Sequence, residues 1–453
     1  MKIHILGICG TFMGSIAVLA KELGHTVSGS DENVYPPMST QLEAQGIQLM
    51  EGYKASHLEQ EHDVIIVGNT LSRGNPAVEY VLDSGLVYQS GPQWLSENLL
   101  GGRHVLAVSG THGKTTTSSM LAWILEATGR KPGFLIGGVA ENFGISARCG
   151  ESEYFVVEAD EYDTAFFDKR SKFIHYQPRT LVINNIEFDH ADIFDSIADI
   201  HRQFEHLVRI VPSKGLIVRN ADDENIDTVL ARGCWSGQVS FAGEEADWSA
   251  LAVADDYSEF EVLCDKVVQA KVSWSLIGQH NAHNALAAIA AAVNVGVDAE
   301  AACTALAEFK SVKRRLQVLD TQAGVTVYDD FAHHPSAIRA TLSALRARLG
   351  ADTRIIAVLE PRSNTMKMGV HSETLAASLG GADLAVLYEP PQLSWDLQSS
   401  MSRSALEYSV YKDTEKLVDK LERECKPGDH VLIMSNGAFE GVHGRLLEKL
   451  AQR

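Results

Sequence analysis

Short apolar runs of strand length alternate along the chain with stretches whose apolar residues recur at helical spacing, and this alternation starts three times. The first series opens on Lys2–Leu6 and passes the turn Gly7-Ile-Cys-Gly-Thr-Phe-Met-Gly14. It continues as a helix over 15–23 and a strand over 25–30 that ends at Asp31. A strand over 63–67 leads into a polar loop, 68–76, and Gly101-Gly102 reads as a linker. The second series has an apolar run over 104–108, a glycine-rich turn, and a helix over 115–128 closed by Gly129. Two more buried runs end in polar residues: Tyr154–Glu158, followed by Ala-Asp-Glu-Tyr-Asp163, and 181–190, with His190 last. Short strands with acidic turns over 215–275 read as a sheet extension, and Gly278-Gln-His-Asn-Ala-His-Asn284 opens an alanine-rich helix over 285–293. After a basic joint, 309–316, strands over 325–328, 354–359, Leu384–Tyr388 and His430–Met434 alternate with helices. The expected fold class is α/β, in three nucleotide-binding-type domains, 1–101, 102–313 and 314–453. The glycine pair and 310–315 are the expected hinges.

A length of 453 residues agrees with about three cores. The formal net charge of −20 argues against a nucleic-acid partner and for anion binding only at local positive sites. Six cysteines, at 9, 149, 234, 264, 303 and 425, have no paired spacing and read as reduced thiols of a cytoplasmic protein. The apolar stretch 3–20 superficially resembles a signal peptide, but Gly7, Gly10 and Gly14 fit a strand, turn and helix better. No other stretch is suited to span a membrane.

The strongest candidate chemistry lies in Gly110-Thr-His-Gly-Lys-Thr-Thr-Thr117, between a strand and a helix. Gly110 and Gly113 let backbone N–H groups approach a polyphosphate, Lys114 can reach the outer phosphates, and the Thr115 hydroxyl suits Mg²⁺. Val108 stands where the full phosphate-loop pattern has its first glycine, so a turn using glycine for backbone reasons alone is the competing reading. Glu158 at a strand end can hold a phosphate-bridging cation, and His190 lies at another strand end. Asp160, Glu161 and Asp163 are either part of that site or a solvated loop. In the first series Cys9 and Phe12 replace glycines of the dinucleotide fingerprint, so a nicotinamide is weakly supported; a uridine diphosphate would fit the same crevice, and spacing alone leaves the ligand open. In the third series, Asp329-Asp-Phe-Ala-His-His-Pro335 and Glu360-Pro-Arg-Ser-Asn-Thr-Met-Lys367 follow strands, and each either faces the cleft or is a local cap or solvated turn.

These motifs, with Asn185-Ile-Glu-Phe-Asp-His190, His280-Asn-Ala-His-Asn-Ala-Leu286 and Arg314-Arg315, occur in an order that resembles the Mur ligase family over essentially the whole chain. The resemblance implies a Rossmann-like first domain for a UDP-sugar, a P-loop central domain for ATP and a Rossmann-like third domain for the incoming amine. It also implies an ATP-dependent carboxylate–amine ligase acting through an acyl phosphate, with Mg²⁺, in peptidoglycan metabolism. Ile5-Leu-Gly-Ile-Cys-Gly-Thr-Phe-Met-Gly14, the loop from Glu360 and Met434-Ser-Asn-Gly-Ala-Phe-Glu-Gly441 are most similar to members that join L-alanyl-γ-D-glutamyl-meso-diaminopimelate to UDP-N-acetylmuramate during recycling. By this resemblance ATP would meet Gly110, Thr111, His112, Gly113, Lys114, Thr115, Thr116, Asn284, Arg315 and Asp330. Mg²⁺ would meet Thr115, Glu158 and His190. The UDP-sugar would meet Cys9, Gly10, Thr11, Phe12, Met13, Asp31, Asn69 and Thr70. Lys114, Glu158, His190, Arg315 and His333 would be catalytic.

Two departures qualify the carry-over. Several relatives use a carbamylated lysine after the metal histidine, whereas no lysine lies between His190 and Lys214, and Glu205 is a candidate for its charge. The third-domain loop Pro361-Arg-Ser-Asn-Thr differs from the alanine-adding pattern, which points to His333, Arg362 and Lys367 as a pocket for peptide carboxylates. The alternatives are an alanine-adding ligase, a nicotinamide oxidoreductase and a non-catalytic nucleotide-binding regulator.

Overall fold

The computed structural model describes residues 1–34 and 38–453. Three parallel-rich sheets follow one another along the chain. The first has five parallel strands in the order Gln48–Glu51, Thr26–Asp31, Lys2–Leu6, Val64–Val67, Tyr88–Ser90. The third has six, with Val325–Asp330, His430–Met434, Ile355–Leu359, Leu384–Tyr388 and Glu407–Tyr411 parallel. Gln317–Gln322 adds an antiparallel edge through a hairpin at Ala323-Gly324, where both φ angles are positive, 49° and 76°.

The ten-stranded central sheet places the chemistry. His104–Ser109 lies between Thr180–Ile183 and Tyr154–Glu158, parallel to both, so three carboxyl ends converge on the turn that follows Ser109. Strands between Leu216 and Ser273 extend the sheet on one side, as the pattern of short strands predicts. The strand His104–Ser109 is apolar throughout its interior because both faces are covered: Leu106, Ala107 and Val108 are fully buried. Truncation of Leu106 to Ala should cost roughly 2–5 kcal/mol. Over one face, the helix Lys114–Ala127 packs against Gln279–Asn294, whose run Ala285–Ala292 is buried along its length. Small side chains let the two backbones come close enough for Asn284 to reach the glycine-rich turn.

Several boundaries differ from the sequence reading, and three bear on the site. The first helix is Thr11–Glu22, beginning inside the expected turn, because only Gly7 needs left-handed backbone; Gly14 is helical and serves close packing, a Cβ there falling 2.6 Å from Met38 Sδ. The alanine-rich helix begins at Gln279, so His280, His283 and Asn284 occupy its first two turns rather than a preceding loop. His190 is not at a strand end: the strand stops at Ile183, and His190 sits in the following segment with φ 56°. A non-glycine residue held there is locally strained, a feature concentrated at functional sites.

Candidate active site

The turn after Ser109 is shaped by contacts that only glycine permits. Gly110 has φ 130° and would push a Cβ to 3.0 Å from the Asn185 backbone; at Gly113, φ 79°, a Cβ would fall 2.5 Å from Asn284 Oδ1. The Asn185 carbonyl accepts the Thr111 N–H at 3.0 Å, its Oδ1 accepts the His112 N–H at 2.7 Å, and Thr117 donates its hydroxyl to Asn284 at 3.1 Å. The loop Asn184–His190 and the alanine-rich helix therefore hold the turn open as a cradle at the start of a fourteen-residue helix. Thr116 is buried beside it.

Two carboxylates face this turn. Glu158 accepts the Thr115 hydroxyl at 2.9 Å and the Gly137 N–H at 2.7 Å. Burial raises its pKa, partly offset by the Gly137 bond and by Lys114. Glu161 accepts from the Lys114 ammonium at 2.9 Å and pairs with His190 Nε2 at 3.0 Å. Burial lowers the affinity of Lys114 for its proton, but Glu161 and then Asp160 outweigh it, and the ammonium stays above its ordinary range. His190 behaves alike: burial is overcome by the Glu161 hydrogen bond and charge, and its pKa is raised. Glu161 is thus a buried member of the site, with its side chain 3% exposed, and not solvated. Asp160 pairs with Lys172, and Asp163 with Lys169.

The carboxylate that His190 contacts directly is Glu161. Glu205, on the helix Ile197–Arg209, pairs with Arg209 of the same helix and with Arg232, which caps the helix Glu224–Ala231. Thr115 and Glu158 are hard oxygen donors 2.9 Å apart, held on strand and helix termini, and a dication at Glu158 would favour the ionised form that burial opposes; this donor set fits Mg²⁺.

The third unit closes over the site from the opposite side. Thr365 donates its hydroxyl to Asp189 at 2.6 Å, Asn364 donates to Asp192 at 2.9 Å, and Ser336 donates to Glu187 at 2.6 Å. His334 caps the helix Pro335–Leu349, its Nδ1 accepting the Ser336 N–H at 3.3 Å, so the cap reading of that loop holds together with the cleft-facing one. His333 Nδ1 is 3.0 Å from the Phe331 carbonyl and its Nε2 4.0 Å from Asp189. Burial lowers the His333 pKa. The Arg314 and Arg315 guanidinium groups both lie over the Phe331 ring, at 5.2 and 5.1 Å, and Arg314 also binds Asp329 and the carbonyls of Ser435 and Gly437. Asp330 is buried and accepts the Leu316 and Ala332 N–H groups at 2.6 and 2.7 Å, tying the joint to the third sheet. Arg362 packs on Gly437, 3.6 Å from Glu360, while Lys367 ends the short helix Asn364–Lys367.

On the first sheet, Asp31 accepts the Cys9 N–H at 2.8 Å and so fixes the turn that carries Gly10, while Thr11, Phe12 and Met13 form the first helical turn. Asn69 and Thr70 follow the strand Val64–Val67, with Thr70 against Gly7. A residue absent from the sequence reading links this turn to the central site: Lys172 places its ammonium 5.5 Å from the ring centres of both Phe12 and Tyr162 and 3.3 Å from Asp160. Within the charged run Asp168-Lys-Arg-Ser-Lys172 it has no local mark that separates it from solvated lysines. Among the described residues no helix is long and apolar enough to cross a membrane.

Family models match in the same order as the three sheets: the Mur ligase family catalytic domain over 2–103, the Mur ligase middle domain over 108–292, and the Mur ligase glutamate ligase domain over 314–437. A relative from Escherichia coli (strain K12), the UDP-N-acetylmuramate–L-alanyl-γ-D-glutamyl-meso-2,6-diaminoheptandioate ligase, is 56% identical over 453 residues, covering 100% of this chain and 99% of the relative. The UDP-N-acetylmuramate–L-alanine ligase of Syntrophomonas wolfei is 31% identical over 469 residues, 99% of this chain and 97% of its own. The crystal structure of a murein peptide ligase from Psychrobacter arcticus 273-4 superposes with a TM-score of 0.77 at 46% identity, covering 100% of this chain and 99% of that one. With three models of one family matched in chain order and identity sustained from end to end, the chain belongs to the Mur ligase family.

Proposed function

We propose that this chain joins the muramoyl carboxylate of UDP-N-acetylmuramate to the amine of L-alanyl-γ-D-glutamyl-meso-diaminopimelate, with ATP cleaved to ADP and phosphate. The observation that carries the reading is the buried Lys114–Glu161–His190 chain beside the Thr115–Glu158 pair, in a chain 56% identical throughout to a ligase of that name. A free carboxylate is a poor acyl donor. Its oxygen attacks the γ-phosphorus, ADP leaves, and the amine then attacks the acyl carbonyl and expels phosphate, losing one proton. Thr115 and Glu158 would hold a Mg²⁺ ion, which would supply neutralising charge to the phosphoryl oxygens.

The other tasks fall to the chain's own groups. The backbone N–H groups of Gly110, Gly113, Lys114 and Thr115 orient the phosphates, those of Thr111 and His112 being held by Asn185, and Lys114 exchanges its Glu161 contact for the outer phosphates. Arg315, Asn284 and Asp330 border the nucleotide. Asp31 shapes the turn for the UDP-sugar, with Asn69 and Thr70 beside it. Closure through Asp189–Thr365 and Asp192–Asn364 keeps water from the acyl phosphate. His333 takes the amine proton: with Nδ1–H donating to the Phe331 carbonyl, its neutral Nε2 is the free acceptor. Arg362 and Lys367 receive peptide carboxylates. The test is product analysis by mass spectrometry. Equimolar UDP-muramoyl-tripeptide, ADP and phosphate are expected, and Arg362→Ala should raise the apparent KM for tripeptide by about tenfold or more. ATP hydrolysis with no new amide would refute the reading.

A further inference from the structure

Beside the phosphate-loop turn lies a cluster that the reaction above leaves unused. His112 Nε2 is buried without a hydrogen-bond partner and faces Glu187 Oε1 at 3.8 Å. His334 Nδ1 stands 3.5 Å from the other oxygen, Oε2. The three donor atoms lie within 4.8 Å of one another. The two imidazole rings are tilted, with centres 4.5 Å apart, and His371 stands edge-on to His334 at 4.3 Å. Burial is the largest influence on both His112 and His334 and holds them neutral, the form that ligates metals.

We infer that His112, Glu187 and His334 form a binding site for a transition cation of the Zn²⁺ class, clipping the third unit to the phosphate loop. In a tetrahedral site with bonds of about 2.0–2.1 Å, neighbouring ligand atoms stand roughly 3.3 Å apart; Glu187 spans the two imidazoles with one oxygen toward each, Oε1 3.8 Å from His112 and Oε2 3.5 Å from His334. Two imidazoles and one carboxylate select a borderline ion over Mg²⁺, which prefers oxygen alone. The fourth position opens to solvent, where the Glu187 side chain is 34% exposed. Ligation by His334 replaces its long 3.3 Å bond from the Ser336 N–H, while the Ser336 hydroxyl still orients Glu187 from 2.6 Å. The donors come from the phosphate-loop turn, the loop after Thr180–Ile183 and the start of Pro335–Leu349, so the site exists only when the third unit is closed.

The test uses the full chain, freed of metal with chelator and without nucleotide. Co²⁺ is titrated while visible absorption is followed and bound metal is counted after gel filtration. One equivalent with the intense absorption of tetrahedral Co²⁺ is expected, displaced by Zn²⁺. His112→Ala and His334→Asn should each weaken binding about a hundredfold or more, and Zn²⁺ should raise the melting temperature of the wild type but not of these variants. His334→Asn retains a helix-capping side chain, so its loss of metal is not loss of fold. Glu187→Gln provides a third variant that removes only charge, and His190→Ala should keep the band. The proposal is overturned by a band that survives both histidine variants, by one lost only with His190→Ala, or by weak octahedral absorption alone.

Discussion

Glu161 stands between Lys114 and His190, 2.9 Å from the ammonium and 3.0 Å from the imidazole, with its carboxylate almost fully buried. Without a nucleotide this carboxylate is the counter-charge for the ammonium and the hydrogen-bond partner of the imidazole. Breaking a buried pair strands a charge at a cost of about 3–5 kcal/mol. Glu161→Gln should therefore lower the melting temperature by several degrees and slow ATP-dependent phosphate release. An unchanged melting temperature would mean that Lys114 finds water as readily as Glu161.

The Thr365 hydroxyl, donated to Asp189 across the cleft, links the third unit to the loop that carries His190. Thr365→Val keeps the shape and removes the donor. A lost hydrogen bond to a carboxylate is worth roughly 1.5–3 kcal/mol, so kcat/KM for the peptide should fall by about ten- to hundredfold. Equal kinetics in the variant would show that closure does not use this bond.

His333 bears on the amine's proton. Burial keeps its pKa below the ordinary imidazole value, so the neutral base is available throughout the neutral range. His333→Gln should lower kcat by about 10²–10⁴ with little change in KM, and should remove the acid limb of the pH–rate profile that this group sets. A raised KM with unchanged kcat would reassign His333 to peptide binding alone.

Stability should fall on acidification below neutral pH. Burial holds His280, His334 and His371 down to about 4, from 6.5. The unfolded chain binds more protons than the folded one between those values, so stability rises with pH across that window and is lost as pH falls through it. His190 acts oppositely: its raised pKa gives stability that is complete below 6.5 and lost as pH rises through its folded value. With His112 and His333 also lowered by burial, the balance against His190 predicts a lower melting temperature at pH 5 than at pH 7.5, and His371→Gln should flatten the dependence. A flat profile for the wild type would contradict this.

The parallel strands were legible because a strand covered on both faces, such as His104–Ser109, is an unbroken apolar run. The hairpin edge Gln317–Gln322 was not, since an exposed edge carries little apolar signal. Within the site, Lys114, Thr115 and Glu158 could be read because each sits at the end of a regular element, where pattern fixes position. Glu161 and Lys172 could not: Glu161 lies in an irregular acidic loop and Lys172 opens a single 3₁₀ turn after a charged run, and only tertiary packing shows which carboxylate meets His190 and which ammonium meets Phe12. The same limit explains Glu205, whose arginine partners include Arg232, distant along the chain.

The most direct test of the central claim is ATP-dependent phosphate release with UDP-N-acetylmuramate and Mg²⁺, comparing L-alanyl-γ-D-glutamyl-meso-diaminopimelate with L-alanine at matched concentrations. The account predicts release with the tripeptide and little with alanine, lost in Lys114→Met. Release with alanine and not with tripeptide would contradict it.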